Sequence, residues 1–404
     1  MPGEAPRAAA PVSLRRLTLT DFRCFQHAVL EPDPLGATVV TGPNGSGKTS
    51  LLEAVAYLGL LRSFRGAPRE ALVRSGCARA VIRAELDDDG SPVLVEAELV
   101  PAGRSRAQVN RQPVRSRREL AQAVPLTIFS PEDLGVVQGG PARRRELLDD
   151  ALRVLDARRA ADLDELDRVL RQRAAVLRQA GGRLSAVVAD TLAVWDERLA
   201  ALTDEVTAAR ASLVAALEPL VDQAYRALAA GEDGAGTPGA PANGGGATAP
   251  VIPTDPRRSP ATSLAYRRSW DGDFRHALAA ARADDLRRAT TTVGPHRDDL
   301  LVCLEGRDAR FEASQGEQRC LALALRLGVD GLVRRRSGRV PILLLDDVFS
   351  ELDDARSMAL VRQLPEGQAL VTTATGAPGG ARAARIVDVR DVGARRSCGP
   401  GGRR

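Results

Sequence analysis

The stretch Gly42-Pro43-Asn44-Gly45-Ser46-Gly47-Lys48-Thr49 decides how this chain is read. Its spacing is G-x-x-x-x-G-K-[ST]; it follows the strand-like run Ala37 to Thr41 and opens a helical run from Thr49 to Leu61, the context that this motif needs. Gly42, Gly45 and Gly47 let successive N–H groups turn inward at a helix N-terminus, which makes a nest for phosphate oxygens. Lys48 is the only lysine in 404 residues, every other member of the 57 lysines and arginines being arginine. A compact ammonium survives only where it would lie between phosphates. The segment predicts a nucleoside-triphosphate site, with ATP held by Gly42, Asn44, Gly45, Gly47, Lys48, Thr49 and Ser50. Lys48 reaches the β- and γ-phosphates, and the Thr49 hydroxyl ligates Mg²⁺.

A metal and a water need a second element. Ile342-Leu-Leu-Leu345 followed by Asp346-Asp347 reads as a buried strand that delivers two carboxylates at its C-terminal end. Asp346 would bind Mg²⁺ through water, and Asp347 would orient or deprotonate the attacking water. A third element, Ala313-Ser-Gln-Gly-Glu-Gln-Arg319, opens a helix shortly before that strand. Ser314 and Gly316 at a helix N-terminus form a second phosphate-binding surface. It is redundant within one chain and makes sense if it closes on nucleotide held by another copy, so an ATP-dependent homodimer is predicted. Standing alone, Ser314 would read as a plain N-cap.

Composition sets the frame. A chain of this length exceeds one hydrophobic core, so two or more lobes are expected. Net charge is +5 and the pI is about 9.3, which is compatible with a nucleic-acid partner without demanding one. Abundant Arg, Ala and Gly beside a single Lys reads as a GC-rich coding bias. The five cysteines, Cys24, Cys77, Cys303, Cys320 and Cys398, form no C-x-x-C pair, which argues for a reducing compartment and against structural zinc. With no secretory signal at Met1 to Pro11 and no long apolar run, a soluble, cytoplasmic protein is expected.

Along the chain, strand-like runs at Val12 to Thr20, Ala80 to Leu86, Val93 to Val100 and Leu126 to Phe129 assign residues 12–140 to the first part of an α/β head. After Pro141, Leu148, Leu152, Leu155, Leu163, Leu166 and Leu170 follow a 3-and-4 spacing with a break at Arg159, ending at Gly181-Gly182. Val188, Leu192, Trp195, Leu199, Leu202, Val206, Ala209 and Leu213 then step strictly as a heptad seam. Two such stretches predict a short antiparallel coiled-coil hairpin with arms of about 33 residues, or roughly 50 Å. An ordinary helical bundle using the same seam as core is the alternative. Residues 231–260 are Gly, Ala, Pro and Thr and read as a flexible loop inside a helical lobe spanning 141–285. A helix is expected from Asp273 to Ala289. Strand-like runs at Asp299 to Leu304, Val340 to Leu345, Ala369 to Thr373 and Ala384 to Val389 assign 286–392 to the second part of the head. The tails 1–11 and 393–404 are expected to be disordered.

The order of phosphate loop, S-Q-G-E-Q, acidic strand and Ser350-Glu-Leu-Asp353 resembles the ATP-binding-cassette heads of the SMC-like DNA repair ATPases. Within them the chain resembles the RecF family, on Leu17-Thr-Leu-Thr-Asp-Phe-Arg23, the phosphate loop, Phe129-Ser-Pro-Glu-Asp-Leu134, Gly139-Gly-Pro-Ala-Arg-Arg-Arg145, Gly294-Pro-His-Arg-Asp-Asp-Leu300 and Ser314-Gln-Gly-Glu-Gln-Arg319. The resemblance implies a DNA replication and repair protein: an ATP-induced dimer that binds duplex or single/double-strand junction DNA, helps to load recombinase at gaps, and hydrolyses ATP slowly in a DNA-dependent way. RecR and RecO are implied as partners. It also implies that Gln138 touches Mg²⁺ and the attacking water, and that Asp353 communicates across the dimer. Candidate DNA-phosphate contacts are Arg115, Arg117, Arg118, Arg143 and Arg144. No role is derived for His296, which reads as a turn histidine.

Two departures from cassette ATPases bear on rate. The usual glutamate after the metal-binding Asp is here Asp347, one methylene shorter. The usual switch histidine is replaced by the run Val371-Thr-Thr-Ala-Thr375. Both predict slow turnover. A transporter ATPase has no reason for the heptad hairpin, and long-armed SMC proteins need far longer arms. An SMC-like repair ATPase partnering a nuclease remains the alternative.

Overall fold

The structure, a computed structural model, describes residues 10–394 apart from 104, 234–260, 353, 365–366 and 375–382. At its centre lies a five-stranded parallel sheet in the order Ala383–Asp388, Ala37–Thr41, Ala369–Thr373, Ile342–Asp346 and Leu126–Phe129. Ile342–Asp346 is buried at every residue, because helices and a second sheet cover both faces of a parallel sheet. Alternate residues serve different cores. Leu343 and Leu345 face the helix Gln315–Ser337, while Ile342 and Leu344 pack with the phosphate-loop helix Lys48–Leu60. Register brings the strand ends to one edge, with Asp346 opposite Thr372, Thr373 opposite Thr41, and Leu345 opposite Phe129. That edge is where α/β sheets bind ligands.

An antiparallel sheet built around Ala10–Phe22 joins the same core as the phosphate-loop helix. It reaches into both expected tails. Ala10 and Pro11 pair in parallel with Arg339–Val340, and Gly393–Ala394 pairs with Phe25–Leu30. Ladder bonding carries the strands past the point where composition stops signalling them. The remaining tail residues lie outside the described ones.

The helical lobe departs from a simple hairpin. The first arm is two helices, Pro141–Leu155 and Ala157–Ala180, broken at Asp156 rather than Arg159. Asp156 is extended, and its carboxylate caps the second helix by accepting from the N–H of Arg158 and of Arg159. The turn at Gly181-Gly182 has φ of 56° and 81°, which glycine adopts without strain. The returning helix Ala186–Asp233 is 48 residues long, far beyond the expected arm. Its seam residues Leu192 and Leu199 are fully buried, and Leu202, Val206 and Leu213 nearly so. Leu217, Val221 and Leu228, further along, share one core with Leu321 and Leu325 of Gln315–Ser337. The heptad seam thus marks a buried face that runs on into the head, not a free-standing coil. The helix expected from Asp273 to Ala289 is likewise two, Phe274–Ala280 and Arg282–Arg288, and an unforeseen strand, Thr262–Arg267, pairs with Asp299–Leu304. The 231–260 segment lies, beyond Asp233, outside the described residues.

Gly294-Pro-His-Arg-Asp-Asp299 is the joint between lobe and head. Arg144 holds both oxygens of Asp299, at 2.7 and 3.0 Å, while Arg145 donates to the Asp298 carbonyl and Arg210 to the Pro295 carbonyl. His296 is half-buried within it. Its Nε2–H donates to the Thr291 carbonyl at 2.9 Å, which fixes the tautomer. Burial pushes the imidazole down to about 4. A histidine depressed in the fold is protonated first in the unfolded chain, so its contribution is complete above the unfolded pKa and is lost as pH falls from there toward the folded one. The unfolding free energy of the wild type, measured in urea against His296→Gln, should fall by on the order of 3 kcal/mol between neutral pH and pH 4. A pH-independent difference between the two would contradict this.

Candidate nucleotide site

The phosphate loop is shaped by its glycines. Gly42 and Gly47 have φ of 147° and 104°, and a Cβ on Gly47 would lie 2.7 Å from the Cys24 sulfur. No other residue satisfies both demands. The loop leads into the N-terminus of Lys48–Leu60, where backbone N–H groups and the helix dipole favour anions. Lys48 is only 7% exposed, and its Nζ folds over the loop to donate to the carbonyls of Gly42 at 2.7 Å and Pro43 at 3.1 Å. The cleft above, about 660 Å³, is lined by Asn44, Gly45, Gly47, Lys48, Thr49 and Ser50 together with Arg23, Cys24, Arg65 and Asp347.

Thr49 and Asp346, 297 positions apart, meet here: the Thr49 hydroxyl donates to Asp346 Oδ1 at 2.9 Å, and Thr372 donates to the same oxygen at 2.7 Å. Burial raises the Asp346 carboxyl above the carboxylate range, opposed by those two bonds and increased by the nearby charge of Glu132. Asp347 stands in the left-handed region at φ 50°, its N–H donating to the hydroxyl and carbonyl of Thr372. Its Oδ1 is buried with no hydrogen-bond partner. An all-oxygen donor set, a desolvated carboxylate and an orphaned carboxylate oxygen fit a small hard cation such as Mg²⁺.

Ser314 and Gly316 do not line this cleft. They begin the separate helix Gln315–Ser337, where Ser314 is an N-cap in full: its Oγ accepts from the Glu317 N–H, and Glu317 accepts from the Ser314 N–H at 2.7 Å. Ser314 is exposed at this helix start.

Gln138, expected at the metal and the attacking water, is not among the residues lining this cleft. It donates to Gln318 Oε1 at 2.6 Å, and its carbonyl accepts from Arg310. The reason is geometric. After Phe129 the chain turns through Pro131–Asp133 and the helix Leu134–Gln138, which carries Gln138 off the strand end and against the helix that follows Ser314. What stands nearer the strand end is Glu132, bonded to Arg65 of the cleft. The sequence reading overlooked Glu132, Arg65 and Arg23, although Phe129-Ser-Pro-Glu-Asp-Leu134 directly follows a strand of the central sheet. Asp353 lies outside the described residues.

The arginine candidates divide. Arg144 is 4% exposed, pairs with Asp299 and donates to the carbonyls of Val136 and Gly139 at the end of Leu134–Gln138, so it is a structural residue and not a DNA contact. Arg143 is partly exposed near Glu146, and Arg118 has a buried Nε. Arg115 is exposed, whereas the side chain of Arg117 lies outside the described ones. Arg144→Ala should destabilise the protein by about 3–5 kcal/mol in urea unfolding, because it strands a buried carboxylate. Arg115→Ala should leave stability within about 0.5 kcal/mol. Equal small effects would remove the assignment of Arg144.

The sheet, the phosphate loop, the acidic strand and the separate Ser314 helix define an ATP-binding-cassette head, and residues 13–389 match the family model described as RecF/RecN/SMC N terminal domain. The DNA replication and repair protein RecF of Frankia alni is 42% identical over 368 residues, covering 90% of this chain and 94% of the relative. RecF of Streptomyces avermitilis is 39% identical over 364 residues, covering 89% and 92%. The solved structure of the recombination mediator protein RecF-ATPrS in RecFOR pathway superposes with a TM-score of 0.76 at 25% identity, covering 94% of this chain and 99% of the other. The corresponding RecF-ATP structure gives a TM-score of 0.74 at 26% identity, covering 92% and 96%. The chain belongs to the RecF family of DNA replication and repair proteins.

Proposed function

We propose that this chain is an ATP-gated DNA-binding protein of replication and recombinational repair. The observation that carries the reading is the separation of two phosphate-binding surfaces. Lys48, Thr49 and Asp347 line one cleft, with Asp346 bonded to Thr49, while Ser314 is exposed at the start of another helix and neither it nor Gly316 lines that cleft. Two copies related by a two-fold axis would bring Ser314 and Gly316 of each to the nucleotide on Lys48 of the other. ATP then acts as part of the interface, and the closed dimer grips DNA.

Thr49 and Asp346 would hold Mg²⁺, which when bound neutralises developing charge on the transferred phosphoryl group. Lys48 leaves the Gly42 and Pro43 carbonyls for the phosphates, and Asp347 orients or deprotonates the attacking water. Asp347 is short for that task and starts from a left-handed backbone, which favours slow turnover and a switch over a motor. Grip on duplex or junction DNA would come from exposed arginines such as Arg115 on backbone phosphates, hence with strong salt dependence. Solved relatives are named in the RecFOR pathway, and RecR and RecO are accordingly proposed as partners in recombinase loading in the cytoplasm. Residues 12–140 and 286–392 are proposed to form the head and 141–285 the lobe. No helix among the described residues is long and apolar enough to cross a membrane.

Size-exclusion chromatography tests the composite site. Wild type should elute as a dimer with ATP and DNA, and both Lys48→Met and Ser314→Arg as monomers, the first through lost nucleotide and the second through a blocked partner surface. A wild type that stays monomeric with ATP and DNA would sink the model. Turnover should also stay below roughly 10 per second, the median for enzymes.

A further inference from the structure

Phe129 pairs with Leu345, so the next turn of chain emerges beside Asp346. That turn is stiff. The Ser130 N–H donates to Asp133 Oδ2 at 2.9 Å, the Asp133 N–H returns to the Ser130 carbonyl, and Arg326 anchors Asp133 at 2.7 Å. Glu132 projects from it. Its Oε1 accepts from Arg65 Nε at 3.3 Å, and Arg65 lines the nucleotide cleft with Lys48, Thr49 and Asp347. Its Oε2 is buried without a hydrogen-bond partner, though the side chain as a whole is 31% exposed. Carboxylate oxygens are rarely left buried and unbonded, because desolvation without a donor is costly. A carboxylate beside Asp346 and Asp347 repels phosphate oxygens, and the donor chemistry that suits it is water polarised by a cation.

We propose that Glu132 is a positioning residue of the nucleotide reaction, its Oε2 accepting a hydrogen bond from a water of the Mg²⁺ shell beside Asp346. This rests on the reading of the cleft as an ATP·Mg²⁺ site. Glu132 adds a third negative charge to Asp346 and Asp347, strengthening cation binding, and Arg65 offsets that charge from the other side. A carboxylate that accepts from metal-bound water tunes the metal without ligating it, so removing one weakens the metal without removing the nucleotide.

Equilibrium binding of a fluorescent ATP analogue to the full chain, titrated with Mg²⁺ and repeated in EDTA, separates these effects. Glu132→Gln should bind the analogue in EDTA within about twofold of wild type, and should need about tenfold more Mg²⁺ to reach the tight state. Glu132→Asp keeps the charge but withdraws the oxygen by one methylene, and should show a smaller shift in the same direction. Both should unfold thermally at the wild-type temperature, and single-turnover hydrolysis by Glu132→Gln should slow by about tenfold or more. The proposal is overturned if both variants follow the wild-type Mg²⁺ curve, or if affinity drops equally with and without the metal. A wild type that binds no ATP analogue would instead overturn the reading of the cleft itself.

Discussion

A carboxylate delivered to the end of a fully buried strand is the constraint on which this structure depends. Asp346 closes a run of four aliphatic residues that have no exposed face, and burying a charge there is unfavourable unless donors or a cation meet it. Thr49 and Thr372 supply the donors, one from the phosphate loop and one from the neighbouring strand. The same desolvation that pushes the Asp346 carboxyl upward is what a divalent cation would reverse. The head thus holds a desolvated carboxylate at the end of the strand beside the phosphate loop. Asp347, in a left-handed backbone with an orphaned oxygen, extends that tension by one residue.

The lobe is fastened to this centre, not appended to it. Arg144 spans the interval in a single side chain, binding Asp299 on the head strand and the last carbonyls of the helix that ends in Gln138. Gln138 in turn holds Gln318 on the helix that Ser314 starts. The 48-residue helix carries the seam of the hairpin into the core of the head. A continuous run of hydrogen bonds thus connects the helix that Ser314 starts to Asp299 at the end of Gly294-Pro-His-Arg-Asp-Asp299.

Much of this was legible before any coordinates. The phosphate loop was readable because glycine backbone freedom and a lone ammonium leave few alternative uses. The acidic strand was readable because an unbroken aliphatic run ending in two carboxylates has few soluble explanations. The heptad residues marked a buried face correctly. They were silent on what covers it, because periodicity records burial and not the covering partner, and so the long helix was read as an arm. Gln138 was placed at the metal because its motif order matched. The five-residue helix that ends in Gln138, and its bond to Gln318, were invisible in that order.

By itself, then, the sequence determined the chemistry available: which residues can meet phosphate, which can meet a cation, and which faces must leave water. These follow from side-chain type and local spacing. Tertiary structure alone decided which of them meet. The pairing of Thr49 with Asp346, the assignment of Arg144 to a buried ion pair, and the bond of Glu132 to Arg65 all depend on strand register and helix length. Those are set by the packing of distant segments, for which local sequence holds no record.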